Sequence, residues 1–319
     1  MIIFLLFISI QIINNLNNSY GLLIYNYQRY IIQYKIKFIN IGDYIQSIAA
    51  EQFINKKNII YLDRDNLVYD GNLIKIIFNC WYEIYPPIKF PKNIIPLFIS
   101  LHIHNTNNIK FMKKIFKKYE PIGARDIDTM NMLKKNGIKS YFSGCLTLTL
   151  GKTFNSKIKK NIIYLVDYKF GENILIDLEI IKILKFYQPD EIKFMSHVKI
   201  SIKVPHNQRF EIAKNYLKKY SQAKLIITTR LHCVLPCVGM NVPVILTVPK
   251  KNIDSRFTGF ANTFLNFIGF YPNNNKFIKE ILTDENGYII NDQGYKYYSN
   301  KMEKIINNFI NKSIKKFKI

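Results

Sequence analysis

The chain has 319 residues, 48% of them apolar, which rules out disorder as a description of the whole and leaves room for two domains of ordinary size. Lys and Arg number 46 against 22 Asp and Glu, a formal net charge of +24. Lys is spread along a chain saturated with Ile, Asn and Tyr, so most of this charge reads as solvated surface that helps recruit an anionic substrate, and nucleic acid is disfavoured as a partner.

In chain order, Met1 to Ile13 is almost wholly apolar and reads as a signal h-region or a short anchor, hence a point of membrane association. It lacks a basic flank and a small-residue cleavage site, and it is short for a bilayer span. Residues 1–19 are therefore set apart as an N-terminal extension. Residues 20–27 read as a first strand. Asn40-Ile41-Gly42-Asp43 then opens a helix with Asp43 as its expected N-cap, because Ile45, Ile48, Ala49 and Phe53 recur at helical spacing. Apolar runs at 59–62, 73–78 and 96–103 predict strands. Residues 109–119 predict a basic amphipathic helix, carrying the modest cluster Lys113, Lys114, Lys117 and Lys118. Residues 121–126 predict a short strand that turns into a helix ending near Gly137, and 143–148 close the first half. The polar stretch 151–160 is the expected hinge. Beyond it, strands at 161–166, 192–195, 224–229 and 242–248 alternate with helices at 175–187 and 208–220, and a basic terminal helix covers 300–316. Alternating strands and helices predict parallel, helix-covered sheets. The expected fold is α/β, with two doubly wound Rossmann-like domains facing a cleft on the GT-B plan: residues 20–151 on the acceptor side and 160–319 on the donor side.

The stretch from Lys224 to Pro249 concentrates the chemistry. A buried strand ends in Thr229-Arg230-Leu231-His232, followed by a short helix and a second buried strand. Parallel sheets bind ligands beyond the carboxyl ends of their strands, and a helix start favours an anion. Neither half carries a G-x-G-x-x-G fingerprint or a P-loop, which disfavours dinucleotides and ATP.

Six segments occur in order: NIGDYIQSIAAEQF, PLFISLHI, EPIGARDIDTMNML, YFSGCLTLTL, IITTRLHCVLPC and DSRFTGF. Together, over roughly residues 20–270, they resemble the polysaccharide pyruvyl transferase family. The resemblance implies transfer of the enolpyruvyl carbons of phosphoenolpyruvate onto a sugar of a surface glycan as a ketal, in glycan or exopolysaccharide biosynthesis, with phosphate released. Phosphoenolpyruvate is then a co-substrate and no cofactor is implied. The partners implied are that anionic donor and a carbohydrate acceptor. By the same resemblance Arg125, Arg230 and Leu231 line the donor site and His232 is the catalytic acid. Gly42 and Asp43 form a glycine–acid turn. Asp43 either accepts a proton from an attacking hydroxyl or caps its helix. Arginine suits a donor with a carboxylate and a phosphate, and an imidazole titrates near neutrality.

Other residues carry weaker signals. Trp81, Tyr82, Tyr85 and Pro86-Pro87 read as an aromatic loop, either an acceptor platform or a packing anchor. His102 and His104 share one face of a predicted strand without an obvious third ligand, so no metal is expected. His197 and His206 flank a Lys-rich turn and read as surface. Asp63, Asp65 and Asp70 form no DxD motif, which counts against a metal-dependent glycosyltransferase. Cys80, Cys145, Cys233 and Cys237 have no zinc spacing and read as buried packing in a reduced, cytoplasmic compartment. The alternatives are a GT-B glycosyltransferase with a nucleotide-sugar donor, and an inactive basic protein that binds glycan or nucleic acid. The sequence leaves the oligomeric state open.

Overall fold

A computed structural model describes residues 19–83, 90–104, 109–249, 259–260, 264–270 and 277–313. The expectations placed on residues 1–13, on Tyr85, Pro86 and Pro87, and on most of DSRFTGF lie outside these.

The first half runs β1 (Tyr20–Ile24), α1 (Gln28–Tyr34), β2 (Phe38–Ile39), α2 (Ile41–Glu51), β3 (Ile59–Asp63), β4 (Ile74–Phe78), β5 (Trp81–Tyr82), β6 (Ile94–Phe98) and β7 (His102–Ile103). It continues with α3 (Ile109–Lys118), β8 (Ile122–Ala124), α4 (Ile127–Lys135), β9 (Ser140–Phe142) and a 3-10 stretch at Leu146–Lys152. The second half comprises β10 (Ile162–Val166), α5 (Ile174–Tyr187), β11 (Glu191–Met195), β12 (Ile200–Ser201), α6 (His206–Ser221), β13 (Leu225–Thr228) and α7 (Leu231–Gly239). After these come β14 (Val244–Val248), β15 (Asn266–Phe270), β16 (Phe277–Glu280) and α8 (Tyr295–Asn311).

Two main sheets result. The first has the order β3-β1-β4-β6, all parallel. The second has the order β11-β10-β13-β14-β15-β16, parallel except for the final β15–β16 pair. Strands buried on both faces need continuous apolar runs, which β10 supplies in full and β4 supplies apart from Lys75. The expected strand at 96–103 is broken. Ser100 adopts a positive φ of 57°, and the chain resumes as β7 beside β5 rather than β4. Trp81 and Tyr82, expected in a loop, form β5, with Tyr82 buried.

The halves meet through specific contacts. β2 pairs antiparallel with β12, and the amide of Ile41 donates to the carbonyl of His197 at 2.8 Å. Arg209 of α6 donates to the carbonyl of Tyr25 at 2.9 Å and to the Tyr44 hydroxyl at 3.0 Å. α7 lies against the 3-10 stretch by backbone contact: a Cβ on Gly239 would fall 2.4 Å from the Leu148 carbonyl oxygen, and one on Gly151 2.2 Å from that of Gly239. One buried apolar cluster draws on both halves, while a second lies under α5.

α8 returns to the first half. Lys75, on β4 and fully buried, donates its Nζ to the carbonyls of Phe309 (3.0 Å), Ile310 (2.7 Å) and Lys312. The ammonium thus satisfies the carbonyls that a helix C-terminus leaves unbonded. Lys75→Met is expected to lower stability by about 2–3 kcal/mol, the scale for charge-assisted hydrogen bonds lost from a buried site. Thermal unfolding with α8 proteolysis as a second readout checks it, and an unchanged melt would refute the anchor.

Candidate active site

Asn40 builds the first wall of the site. Its side chain accepts from the Gly42 amide at 3.0 Å and caps α2, so Asp43 is not the cap. Asn and Asp cap about equally well, and the residue whose backbone leaves the helical region takes the role. Asp43 sits within the first turn, 6% exposed. Its carboxylate accepts from the Tyr27 hydroxyl at 2.5 Å and from Gln46 Nε2 at 3.2 Å. Burial raises its pKa, and Arg64, the Tyr27 hydrogen bond and Arg125 pull the other way.

The second wall is the turn from β13 into α7. Thr228 Oγ1 accepts from the Arg230 amide at 3.0 Å, holding Arg230 as the residue that precedes the helix. His232 lies in the first turn at φ −82°, ψ 16°, off the helical path. Its ring reaches back to α2, where a Cβ on Gly42 would stand 2.9 Å from His232 Cβ and 3.1 Å from Nδ1. Only a glycine admits the imidazole so close to that backbone.

Arg125, at the end of β8, joins the walls. It is fully buried, and its Nη1 donates to Gln46 Oε1 at 3.2 Å and lies 3.3 Å from His232 Nε2. A guanidinium has no acceptor, so Nε2 accepts and the neutral imidazole carries its proton on Nδ1. A polar line therefore runs Tyr27, Asp43, Gln46, Arg125, His232. Arg230 does not share that contact. Its Nε donates to Asp167 Oδ2 at 2.7 Å, and its side chain is 37% exposed, more open than Arg125 or His232. Asp167, at the end of β10, also accepts from Ser196 Oγ (2.6 Å) and the His197 amide (3.0 Å). Burial acts to raise the Asp167 pKa, but these bonds and Arg230 outweigh it and hold the carboxyl low. Leu231 is buried beside them.

Asp126 follows Arg125 and locks it in place. Its carboxylate caps α4 through the Thr129 amide at 2.8 Å and meets His102 Nδ1 at 2.6 Å. Burial would raise its pKa, yet His102 and Arg125 hold it below the ordinary carboxylate range. A depressed pKa contributes stability present above the unfolded value and lost as pH falls through the folded one. Asp126→Asn is expected to cost about 1–3 kcal/mol near neutrality, with the gap to wild type closing at strongly acidic pH. Chemical denaturation across pH measures this, and a pH-independent gap would contradict it.

Several expectations change here. His197 is not a surface residue: it is 1% exposed, with Nε2 2.9 Å from the Tyr220 hydroxyl. His206 is half-buried, between Tyr44 and Asn26. His102 is committed to Asp126 while His104 is exposed, and no group of three metal-ligating side chains comes together among the described residues. The four cysteines are buried and free. Sequence reasoning missed Asp167, Gln46 and, above all, Arg64. Arg64 is 1% exposed, bonded to Asp65 through Nε (2.8 Å) and Nη2 (2.9 Å), with its guanidinium 4.9 Å from the Tyr25 ring and 5.3 Å from that of Trp81. The one available signal was an arginine between two aspartates directly after a strand. Beside Tyr27, a groove of about 960 Å3 passes the ends of β1 and β3, lined by Asn26, Gln28, Arg29, Asp63, Asp65 and Arg209 among others.

Two largely parallel sheets, with an arginine–histidine pair where strand ends and helix starts converge, define an α/β protein with a basic site suited to a small anionic group. The model of one family, polysaccharide pyruvyl transferase, matches residues 40–250. That span covers most of the chain and every residue of the Arg125–His232 site except Tyr27, so the chain belongs to the polysaccharide pyruvyl transferase family. Compared directly with curated proteins, the chain finds no match. Family membership makes it a transferase of polysaccharide biosynthesis. No helix among the described residues is long and apolar enough to cross a membrane.

Proposed function

We propose that the protein transfers the pyruvyl group of phosphoenolpyruvate onto a sugar of a surface glycan as a ketal, releasing phosphate, on a GT-B-like plan with the donor held by the second half. The observation that carries this reading is the contact of Arg125 with His232 across the two walls, beside the more open Arg230. Arg230 and the first-turn amides of α7 meet the donor's carboxylate and phosphate, and Leu231 lines the donor's apolar edge.

In the reaction, a proton is delivered to the donor's methylene carbon, and cationic character develops at the carbon bearing the phosphate. A sugar hydroxyl attacks that carbon, phosphate departs with the C–O bonding pair, and a second hydroxyl closes the ketal. His232 supplies the proton from its ring. It acts as the imidazolium, so that giving up the proton returns the neutral ring, whose Nε2 then accepts from Arg125. Asp43, whose pKa is raised by burial, receives the proton of the attacking hydroxyl. The acceptor glycan enters past Trp81 and the groove beside Tyr27, whose amides and carboxylates match sugar hydroxyls.

Incubation with isotopically labelled phosphoenolpyruvate and a panel of hexose acceptors tests the reading by mass spectrometry. The expected result is a gain of the pyruvyl group with release of one phosphate. Consumption of a nucleotide sugar with release of a nucleoside diphosphate, and no turnover of phosphoenolpyruvate, would assign the site to glycosyl transfer instead.

A further inference from the structure

β11 is the outermost strand of the second sheet, and Glu191, Ile192, Lys193 and Phe194 are all exposed. Its register with β10 sets Ile192 opposite Ile163 and Phe194 opposite Leu165. Ile163 and Leu165 belong to the cluster buried under α5 with Ile176 and Ile180, so Ile192 and Phe194 continue the same face outward, Phe194 at 66% exposure. α5 extends the apolar surface. Ile174, Leu178 and Ile181 recur at helical spacing and are exposed, Ile174 at 68%. Among the described residues, seven of the nineteen exposed large apolar side chains fall between positions 174 and 194. A genome-wide excess of Ile would scatter them, so this concentration marks a face.

Edge strands present unpaired N–H and C=O groups, and soluble proteins blunt them with charge, proline or cover. β11 has no proline, and its two charges neutralise each other, with Lys193 Nζ 2.6 Å from Glu191 Oε2. We propose that β11 pairs antiparallel with β11 of a second copy of this chain, about a twofold axis through Ile192, so that two second-half sheets become one. Charge selects both the occupant and the register. With the axis at Ile192, Glu191 faces Lys193 of the partner subunit and Lys193 faces Glu191 of the partner subunit, giving two complementary cross-strand pairs. An axis at Lys193 would set lysine against lysine. Because this axis stands perpendicular to the sheet, the two α5 helices lie on the same side of it, where their apolar stripes cover Ile192 and Phe194 of both copies. The contact is self-complementary and closed, as a twofold interface requires. It does not depend on what the Arg125–His232 site transfers.

Light scattering on the eluted full-length chain at micromolar concentration is expected to give twice the chain mass of 37.7 kDa. Ile192→Lys with Phe194→Lys is expected to give a folded monomer whose melting temperature, unlike that of the wild type, does not depend on protein concentration, since both side chains are exposed. Glu191→Lys alone is expected to weaken the dimer at least tenfold, and adding Lys193→Glu to restore it, because the swap recreates both pairs. Wild-type protein that stays monomeric overturns the proposal, whatever covers β11. So does a dimer that survives both lysine substitutions, or a charge swap that fails to restore association.

Discussion

Replacing His232 with glutamine is expected to lower the pyruvyl transfer rate by about 10²–10⁴-fold, the usual worth of a positioned general acid. Glutamine is the informative choice because its side-chain oxygen can still accept from Arg125 Nη1, as His232 Nε2 does. The wall-to-wall contact survives and only the transferable ring proton is lost. The loss should fall on kcat, with KM for phosphoenolpyruvate changed little, since the donor's charges are met by Arg230 and the helix start. His232→Ala should be at least as slow and should also lower stability, because it leaves Arg125 without that acceptor. Steady-state kinetics with phosphate release as the readout separate these effects. A His232→Gln protein that turns over at the wild-type rate would remove the imidazole from the chemistry.

Gly42→Ala is expected to be the second most damaging change, though it touches no charge. The added methyl would stand 2.9 Å from His232 Cβ, 3.0 Å from Asn40 Oδ1 and 3.1 Å from His232 Nδ1. Distances below 3.0 Å are not tolerated, and His232 Cβ belongs to a backbone already bent at the start of α7. The imidazole must therefore move away from α2, disturbing the Arg125 contact and the aim of the ring. A displacement of about 1 Å at a reacting group costs on the order of 10²-fold. Alanine at a helical position otherwise stabilises by about 1 kcal/mol relative to glycine. The diagnostic result is thus a fall in kcat far out of proportion to any loss of melting temperature. A variant equally impaired in stability and activity would instead mean that α2 itself had shifted.

Much of this arrangement was legible because it is written in local pattern. Strand alternation located β1, β3, β4, β10, β13 and β14, and the break between Thr229 and Leu231 located the turn that carries His232. The Gly42 turn and the Arg125 strand end were identified by motif, and folding brings both against His232. What escaped depends on partners far away in sequence. Asn40 and Asp43 are both good caps three residues apart, and only the backbone angles at Asn40 decide between them. His197 has lysines at 199 and 203 and looks like surface, but its burial comes from Tyr220 of α6. Arg64 and Lys75 disappear among the chain's many basic residues, although one is enclosed by Tyr25, Trp81 and Asp65 and the other by the end of α8. Asp167 was a single acid after a strand, and only the approach of β13 gives it Arg230. β7 was expected as the end of a single strand over 96–103, and only the turn at Ser100 separates it; β15 is glycine-interrupted, too weak as a pattern to stand out.

Direct calorimetric titration of phosphoenolpyruvate into the full chain, into Arg230→Ala and into Arg125→Lys bears most closely on whether the two walls form one anion site. Saturable binding to a single site is expected, weakened at least tenfold in each variant, with no competition from a nucleoside diphosphate. An absence of binding, or an affinity indifferent to both arginines, would contradict it.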